Sequence, residues 1–136
     1  MIYIIPGDPT ALARPRISRK AMYDSQKQDK LFFGIQAQKQ HGNLPPYTGP
    51  LQLDVIFFMK YPDSARYRRG KKIGDFHIFT PDTSNLIKFV EDACNTVIFH
   101  DDCLISIINA KKIYDAQPRT EFKIVELKED SGSKKA

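Results

Sequence analysis

The sequence predicts an α+β domain in which helices pack on one face of a small mixed β-sheet, in the order β-α-β-loop-α-β-β. Three observations support this fold class. Residues 51–59 alternate apolar and polar side chains, as a half-buried strand does. Residues 84–97 place apolar side chains at helical spacing. Residues 103–114 and 119–127 are rich in β-branched residues, which favours two further strands.

The N-terminal half is expected to form a strand and a helix before the alternating strand. The apolar run "IYII" at residues 2–5 predicts a buried strand, and "PGDPT" ends it with a turn. Residues 10–23 are basic and are expected to be irregular. A helix is predicted over residues 25–40, with a short apolar face that Gly34 weakens. A proline-rich loop at residues 44–50 then leads into the alternating strand.

The C-terminal half is expected to contain a long loop, a helix and a hairpin. Residues 60–80 are polar and basic, and a loop of this length favours a mobile segment that contacts nucleic acid over a plain linker. The helix is predicted over residues 84–96, with Ser84 as its N-cap. The turn "DAQPR" between the last two strands predicts a hairpin. One domain over residues 1–127 is expected, followed by a polar, disordered tail over 128–136.

Composition places the chain among soluble globular proteins. Its 136 residues are 41% hydrophobic and 27% charged, which suits a single domain with a real core. No apolar run approaches the roughly 20 residues that span a bilayer, and no signal peptide is expected, so no membrane is implied. Two cysteines are too few for a disulfide scaffold and lack zinc spacing. We therefore expect a cytoplasmic protein.

Charge points to a polyanionic partner. The net charge is +5, and the basic residues concentrate in two segments, 14–30 and 60–72. Such segments suit binding to a phosphodiester backbone. The basic side chains expected to contact DNA are Arg14, Arg16, Arg19, Lys20, Arg66, Arg68, Arg69, Lys71 and Lys72.

The acids between these basic segments form a candidate magnesium site. Asp82 stands just before the predicted helix, Asp101 and Asp102 just before a predicted strand, and Asp92 lies on the helix itself. Carboxylates at the ends of elements can converge at one edge of a sheet, and Mg²⁺ prefers oxygen ligands. Lys88 is placed on the same helix to stabilise charge on a phosphate.

Each of these residues also has an ordinary interpretation. Asp82 could simply favour the start of a helix through the helix dipole. Lys88 and Asp92 could form a surface pair worth roughly 0.3–0.5 kcal/mol. The two adjacent aspartates could belong to a turn, and His100 beside them could be incidental rather than a ligand or base. The combination in a basic protein favours the metal site.

A longer motif contains the same residues. Residues 81–94 are "PDTSNLIKFVEDAC", and "HDD" and "LISIINAKK" follow at 100–102 and 104–112. This series resembles the RusA family of Holliday junction resolvases, common in bacteria and their prophages, whose pattern is roughly PDxDNLxKxxxDAL, then DD, a hydrophobic strand and a lysine. The N-terminal "PGDPTALARPRISRKAMYDS" is also similar to family members. The resemblance extends to residue 127.

The resemblance implies a homodimeric, Mg²⁺-dependent endonuclease, with Mn²⁺ able to substitute, that cuts four-way DNA junctions in recombination and repair. It also implies a bacterial or phage origin. By motif position Asp82 and Asp102 are the expected metal ligands and Lys88 the catalytic lysine. Asp101 and Asp92 are further candidate ligands. Lys112 falls at the later strand lysine, an expected contact to DNA or phosphate.

Ser84 departs from the family pattern, which has a second aspartate at this position. Three outcomes follow: the remaining carboxylates suffice, another acid such as Asp101 or Asp92 completes the site, or the protein is a weak or inactive junction binder. Two alternatives to the enzyme therefore stay open. One is a catalytically silent branched-DNA-binding module of the same fold, and the other is a basic protein-interaction domain without a DNA role.

Overall fold

A computed structural model describes residues 1–13, 16–17, 22–23 and 25–128, with only the backbone described at 16–17 and 22–23. The strands are β1 (Ile2–Pro6), β2 (Arg16–Ile17), β3 (Met22–Tyr23), β4 (Leu51–Lys60), β5 (Ile105–Asp115) and β6 (Arg119–Glu126). The helices are α1 (Lys27–His41), α2 (Ala65–Arg68) and α3 (Thr83–Cys94), and a 3₁₀ turn spans Asp102–Leu104. The predicted α+β class is confirmed.

The main sheet is mixed, with strand order β1-β6-β4-β5. β4 pairs parallel with β5 and antiparallel with β6, and β1 pairs antiparallel with β6. The alternation predicted for β4 is present, because every second residue from Leu51 to Met59 is buried and the residues between them are partly exposed. One face of the sheet therefore carries the core, and the opposite face stays open to solvent.

The predicted hairpin of the last two strands is wrong. β5 and β6 lie on opposite sides of β4 rather than beside each other. Their connection must therefore pass the end of β4, across about two interstrand spacings of 4.8 Å. Arg119 occupies this crossing: its guanidinium lies 3.7 Å from the centroid of the Phe58 ring and bonds to the Asp115 carboxylate at 2.7 Å. The turn residues were recognised correctly, but the local sequence does not specify the strand that lies between.

The helices α1 and α3 pack together over the buried face of the sheet. Gly34 allows their close approach, since a Cβ at this position would lie 3.0 Å from the carbonyl oxygen of Ala93. The Phe33 ring meets the Phe89 ring edge-on at 5.7 Å between centroids, and stacks on Phe122 of β6 at 6.0 Å. The glycine that weakens α1 by propensity is thus required where the two helices touch.

A buried polar contact ties β1 to the end of α1. The Tyr3 hydroxyl lies 2.7 Å from Nδ1 of His41, and Nε2 of the same imidazole lies 3.1 Å from the Pro45 carbonyl oxygen. The carbonyl can only accept, so Nε2 donates to it, and Nδ1 forms the hydrogen bond with the Tyr3 hydroxyl. His41, which has no evident partner in the sequence, is therefore satisfied in the core.

Several predicted boundaries shift by one to three residues. α3 begins at Thr83, so its N-cap is Asp82 and the prediction of Ser84 is wrong. The segment expected to be irregular contains the short β2–β3 pairing. The predicted tail lies outside the described residues from residue 129 onward. No helix in the described ranges is long and apolar enough to cross a membrane.

The loop over residues 61–81, here called the basic loop, is structured along its length. It contains α2, and the Arg68 guanidinium bonds to the carbonyl oxygens of Pro62 and Asp63 at 2.9 and 3.1 Å. Its second half runs along the outer edge of β5, with a bridge between Phe76 and Ile113. The basic loop therefore leads from β4 to the start of α3 as a layer attached to the sheet edge.

Candidate active site

The start of α3 presents Asp82 and Ser84 to solvent. Asp82 has extended backbone angles, and its carbonyl accepts the first helical bonds from the amides of Asn85 and Leu86, both at 3.1 Å. Its carboxylate makes no capping hydrogen bond. The ordinary interpretation of Asp82, a negative charge that suits the start of a helix through the helix dipole, therefore stays open beside the interpretation as a ligand.

Asp101 and Asp102 form a carboxyl pair at the entry to β5. Their mutual hydrogen bond, partial burial, and the negative charges of Asp101 and Asp92 raise the pKa of Asp102. Hydrogen bonds from the Cys103 thiol and from Asp102 lower the pKa of Asp101. The backbone N–H of Asp102 donates to Oδ1 of Asn95 at 3.1 Å, which fixes the pair against the end of α3. This contact lies at the C-terminal end of α3, whereas Asp82 precedes its first turn, about 18 Å away along the helix axis. The predicted convergence of Asp82 with Asp101 and Asp102 is therefore not observed.

Glu91 joins this cluster, although it was not among the predicted ligands. Partial burial and then the charge of Asp102 raise the pKa of Glu91, while the Lys88 ammonium acts in the opposite direction. Glu91 therefore lies within electrostatic reach of both groups. The signal was present in the sequence: Glu91 is three residues after Lys88 and four before Asn95, on one face of the helix.

Asp92 is engaged elsewhere. Its carboxylate forms an ion pair with the Lys30 ammonium of α1 at 2.6 Å, across the contact between the two helices. The sequence alone also allows Asp92 to pair with Lys88 on the same helix. In the structure its partner is instead Lys30, on another helix. The charge of Asp92 still contributes to the raised pKa of Asp102. Its role as a metal ligand stays a prediction.

Lys112 holds the segment that precedes Asp82. Its ammonium, on β5, donates to the carbonyl oxygens of Phe79 at 2.6 Å and Pro81 at 2.7 Å. Burial lowers the pKa of Lys112, and the nearby charge of Asp82 counteracts this. The predicted contact to phosphate remains a prediction, but the lysine already has a function in the fold, which is to fix the approach to α3.

The basic residues of the loop divide into anchored and exposed side chains. Arg68 is partly buried, bonded to backbone carbonyls, and lies over the Tyr61 ring at 4.7 Å. Arg66 and Arg69 are exposed and lie over the rings of Tyr67 and Phe79. Lys71 is partly exposed, and Lys72 is exposed. Exposure leaves most of these predicted DNA contacts available, whereas Arg68 mainly shapes the loop.

The N-terminal basic residues cannot be placed in the same way. Arg14, Arg19 and Lys20 lie outside the described residues, and so does the side chain of Arg16. Next to them, the amide of Leu12 donates to the carbonyl oxygen of Asn85 at 2.9 Å. This bond brings the N-terminal segment to the first turn of α3, beside Ser84.

The residues at this edge suit a divalent cation in chemistry, although a complete cage is not formed. Among the described residues no group of three or more His, Cys, Asp or Glu side chains is arranged to hold a metal ion. Mg²⁺ commonly takes one or two carboxylates and completes its shell with water and substrate phosphate. Asp101 and Asp102 are such a pair, and a cation would relieve the charge repulsion that, after their hydrogen bond and burial, contributes to the raised pKa of Asp102. The all-oxygen donor set fits Mg²⁺ or Mn²⁺.

Comparison with known proteins gives a consistent result. The model of the family described as endodeoxyribonuclease RusA matches residues 6–125, which includes every element from the end of β1 to β6. The chain is also similar to the uncharacterized protein YqaN of Bacillus subtilis (strain 168). The two are 32% identical over 136 residues, covering 92% of this chain and 95% of that protein.

Proposed function

Because this chain belongs to the RusA family of endodeoxyribonucleases, we propose that it is a magnesium-dependent endonuclease that resolves four-way DNA junctions in recombination and repair. Within the molecule, the observation that carries the proposal is the Asp101–Asp102 pair, which is fixed by Asn95 against the face of α3 that bears Lys88 and Glu91. Acids gathered beside a lysine in a chain of net charge +5 suit the hydrolysis of a phosphodiester.

In this proposal Asp101 and Asp102 hold the cation, and Asp82, at the other end of α3, stays a ligand predicted by motif position only. Bound Mg²⁺ supplies hydroxide from water at neutral pH and neutralises charge that develops on the scissile phosphate. Lys88 faces solvent six residues after Asp82, about 9 Å along the helix axis, and its ammonium stabilises the same phosphate charge. Glu91 opposes the Lys88 charge and helps to keep the ammonium at this edge.

The DNA substrate is bound through the basic residues on either side of the acids. Arg66, Arg69 and Lys72 are exposed in the basic loop, and their charges neutralise backbone phosphates. We propose that the protein works as a homodimer, since a junction offers two equivalent strands to be cut and a two-fold dimer offers two equivalent sites. A DNA substrate implies action in the cytoplasm of a bacterium or a phage-infected cell.

The test is cleavage of a labelled four-way junction in the presence of Mg²⁺, with Asp102→Asn as the key variant. The wild type is expected to cut the junction in paired strands. Asp102→Asn is expected to bind it with similar affinity and to lose cleavage by at least about a hundredfold. Asp8→Asn, at an exposed acid after β1 on the opposite edge of the sheet, is the matched control and should cut normally.

Two results would favour the alternatives. Junction binding without nicking at any Mg²⁺ or Mn²⁺ concentration would leave a catalytically silent module of the same fold, with Ser84 as the reason. Absence of DNA binding, or affinity that hardly changes between 50 and about 200 mM salt, would favour a protein-interaction domain, because each neutralised phosphate makes affinity fall with salt.

A further inference from the structure

The basic loop exposes an unusual amount of apolar surface. Phe76 and Ile78 are 64% and 66% exposed, and Tyr67 and Ile73 are 60% and 54% exposed. Four large apolar side chains thus face solvent within twelve residues. Scattered exposed apolar residues are ordinary in proteins, but a concentration of them in one segment marks a binding surface.

These side chains are held outward by the backbone. The amides of Gly74 and His77 donate to the carbonyl oxygens of Tyr114 and Lys112 at 2.9 and 3.0 Å, and the amide of Tyr114 donates to Asp75 at 3.0 Å. The His77 ring turns inward against Tyr114, with 5.0 Å between centroids. In an extended segment, the neighbours of an inward residue point outward. Phe76 and Ile78 are therefore presented by a fixed edge of the sheet.

Arginines are interleaved with the aromatic rings. The Arg66 guanidinium lies 5.5 Å from the centroid of the Tyr67 ring, and that of Arg69 lies 4.7 Å from the centroid of the Phe79 ring. Both arginines are exposed, and the loop carries only two acids, Asp63 and Asp75. Flat apolar side chains beside cations are the combination that binds nucleobases and their phosphates together. The excess of positive charge in the basic loop favours a nucleic acid over a protein as the partner.

This surface adjoins Asp82, one of the acids predicted as metal ligands. Phe79 is three residues before Asp82, and the Lys112 ammonium binds the carbonyl oxygens of Phe79 and Pro81. A base held at Phe76 or Ile78 would therefore belong to the same DNA that presents its phosphate near Asp82. In linear duplex the faces of the bases are covered by stacking, whereas a branch point exposes them.

We propose that Phe76 and Ile78 bind unstacked bases at the branch point, while Arg66 and Arg69 hold the flanking phosphates, and that this surface gives the protein its preference for branched over linear DNA. The inference rests on the proposed function, because it concerns how that DNA is selected. It assigns the preference to the basic loop and not to the acids.

The experiment compares wild type with the double variant Phe76→Ala/Ile78→Ala. Affinities for a four-way junction and for a linear duplex of the same sequence are measured by fluorescence anisotropy in EDTA, so that no cleavage occurs. The variant is expected to bind the junction at least about tenfold more weakly, while duplex binding changes by less than about threefold. Leu31→Ala, at a residue of α1 that is 55% exposed, is the matched control and should change neither affinity.

A second readout reports on the bases directly. A fluorescent adenine analogue at the branch point should change its emission when wild type binds, and should not change with the double variant. Unchanged junction preference in the variant would overturn the inference and leave the proposed function intact. A wild type that binds no branched DNA would overturn both. A variant whose oligomeric mass changes would instead assign the surface to contacts between copies of the chain, which also overturns it.

Discussion

Ser84 lies exposed in the first turn of α3, two residues after Asp82. The RusA family pattern has a second aspartate at this position. The serine hydroxyl is neutral, so it adds no negative charge to a cation site. Asp82 is the acid beside it in this turn, whereas Glu91 and the Asp101–Asp102 pair lie toward the other end of the helix. The site is therefore expected to bind a cation more weakly than one with an aspartate at position 84.

Ser84→Asp should strengthen the binding of Mg²⁺ and Mn²⁺. A carboxylate there would add a ligand, and a negative charge in the first turn also suits the helix dipole, so folding should not suffer. We expect a gain of roughly tenfold in affinity, about 1.4 kcal/mol, measured by calorimetry with Mn²⁺. Ser84→Asn keeps a side chain of the same shape without the charge and is the control. Equal affinities for the two variants would show that position 84 does not face the cation.

His77 is a second residue whose surroundings decide its behaviour. Burial and then the charge of Lys112 lower its pKa from the ordinary value of 6.5, and its Nδ1 finds no hydrogen-bond partner among the described residues. The Tyr114 and Phe79 rings are its other neighbours. The folded protein therefore resists protonation at a pH where the unfolded chain accepts it.

Stability should accordingly fall on mild acidification. The contribution of His77 is complete above about pH 6.5 and is lost as the pH falls through the lowered pKa of the folded state. We expect the urea midpoint of the wild type to decrease more between pH 7 and pH 5 than that of His77→Leu, which cannot titrate. Carboxyl groups with raised pKa, such as Glu91, titrate in both proteins and cancel in the comparison. Parallel pH profiles would contradict this prediction.

At the scale of elements, the Lys112 side chain links β5 to the residues immediately before α3. Lys112 reaches from the sheet to two carbonyls of the basic loop, immediately before Asp82. Hydrogen bonds from a charged donor are stronger than neutral ones. Strand β5, the basic loop and helix α3 are thus joined next to Asp82. Loss of the ammonium should therefore increase the mobility of the residues just before α3 more than it destabilises the whole fold.

Lys112→Met should destabilise the protein by about 1–3 kcal/mol, since two charge-assisted bonds are lost while the apolar stem is kept. Hydrogen exchange should rise in residues 76–82, and cleavage should fall without a comparable loss of DNA binding. Lys111→Met changes the adjacent, exposed lysine on the other face of the strand and should stay within about 0.5 kcal/mol of wild type. If both variants lose DNA binding equally and keep normal exchange, Lys112 acts as a phosphate contact instead.

At the scale of the molecule, one chain of 15.6 kDa offers a single cluster of the proposed acids among its described residues. Symmetric cutting of a junction needs two such clusters, one for each strand that is cut. We therefore expect light scattering to give a mass near twice 15.6 kDa in solution. A monomeric protein that nevertheless cuts both strands in one encounter would contradict the dimer.

The sequence by itself determined the fold class, and the chemistry that it indicates for the site stays a prediction. The alternation of β4 and the helical spacing of α3 follow from local geometry, because a strand repeats every two residues and a helix every 3.6. The same spacing placed Lys88, Glu91 and Asn95 on one face, and the acids before α3 and β5 could be assigned to element ends. These features depend only on neighbours along the chain.

The tertiary structure alone decided which distant parts meet. It placed β4 between β5 and β6, paired Asp92 with Lys30, and directed Lys112 to the loop rather than only to solvent. Each of these contacts joins residues far apart in sequence, and each depends on which faces remain after the core has packed. Turn residues, or charges at a given spacing, cannot specify such a distant partner. Which residues meet depends on how the other helices and strands pack and become buried.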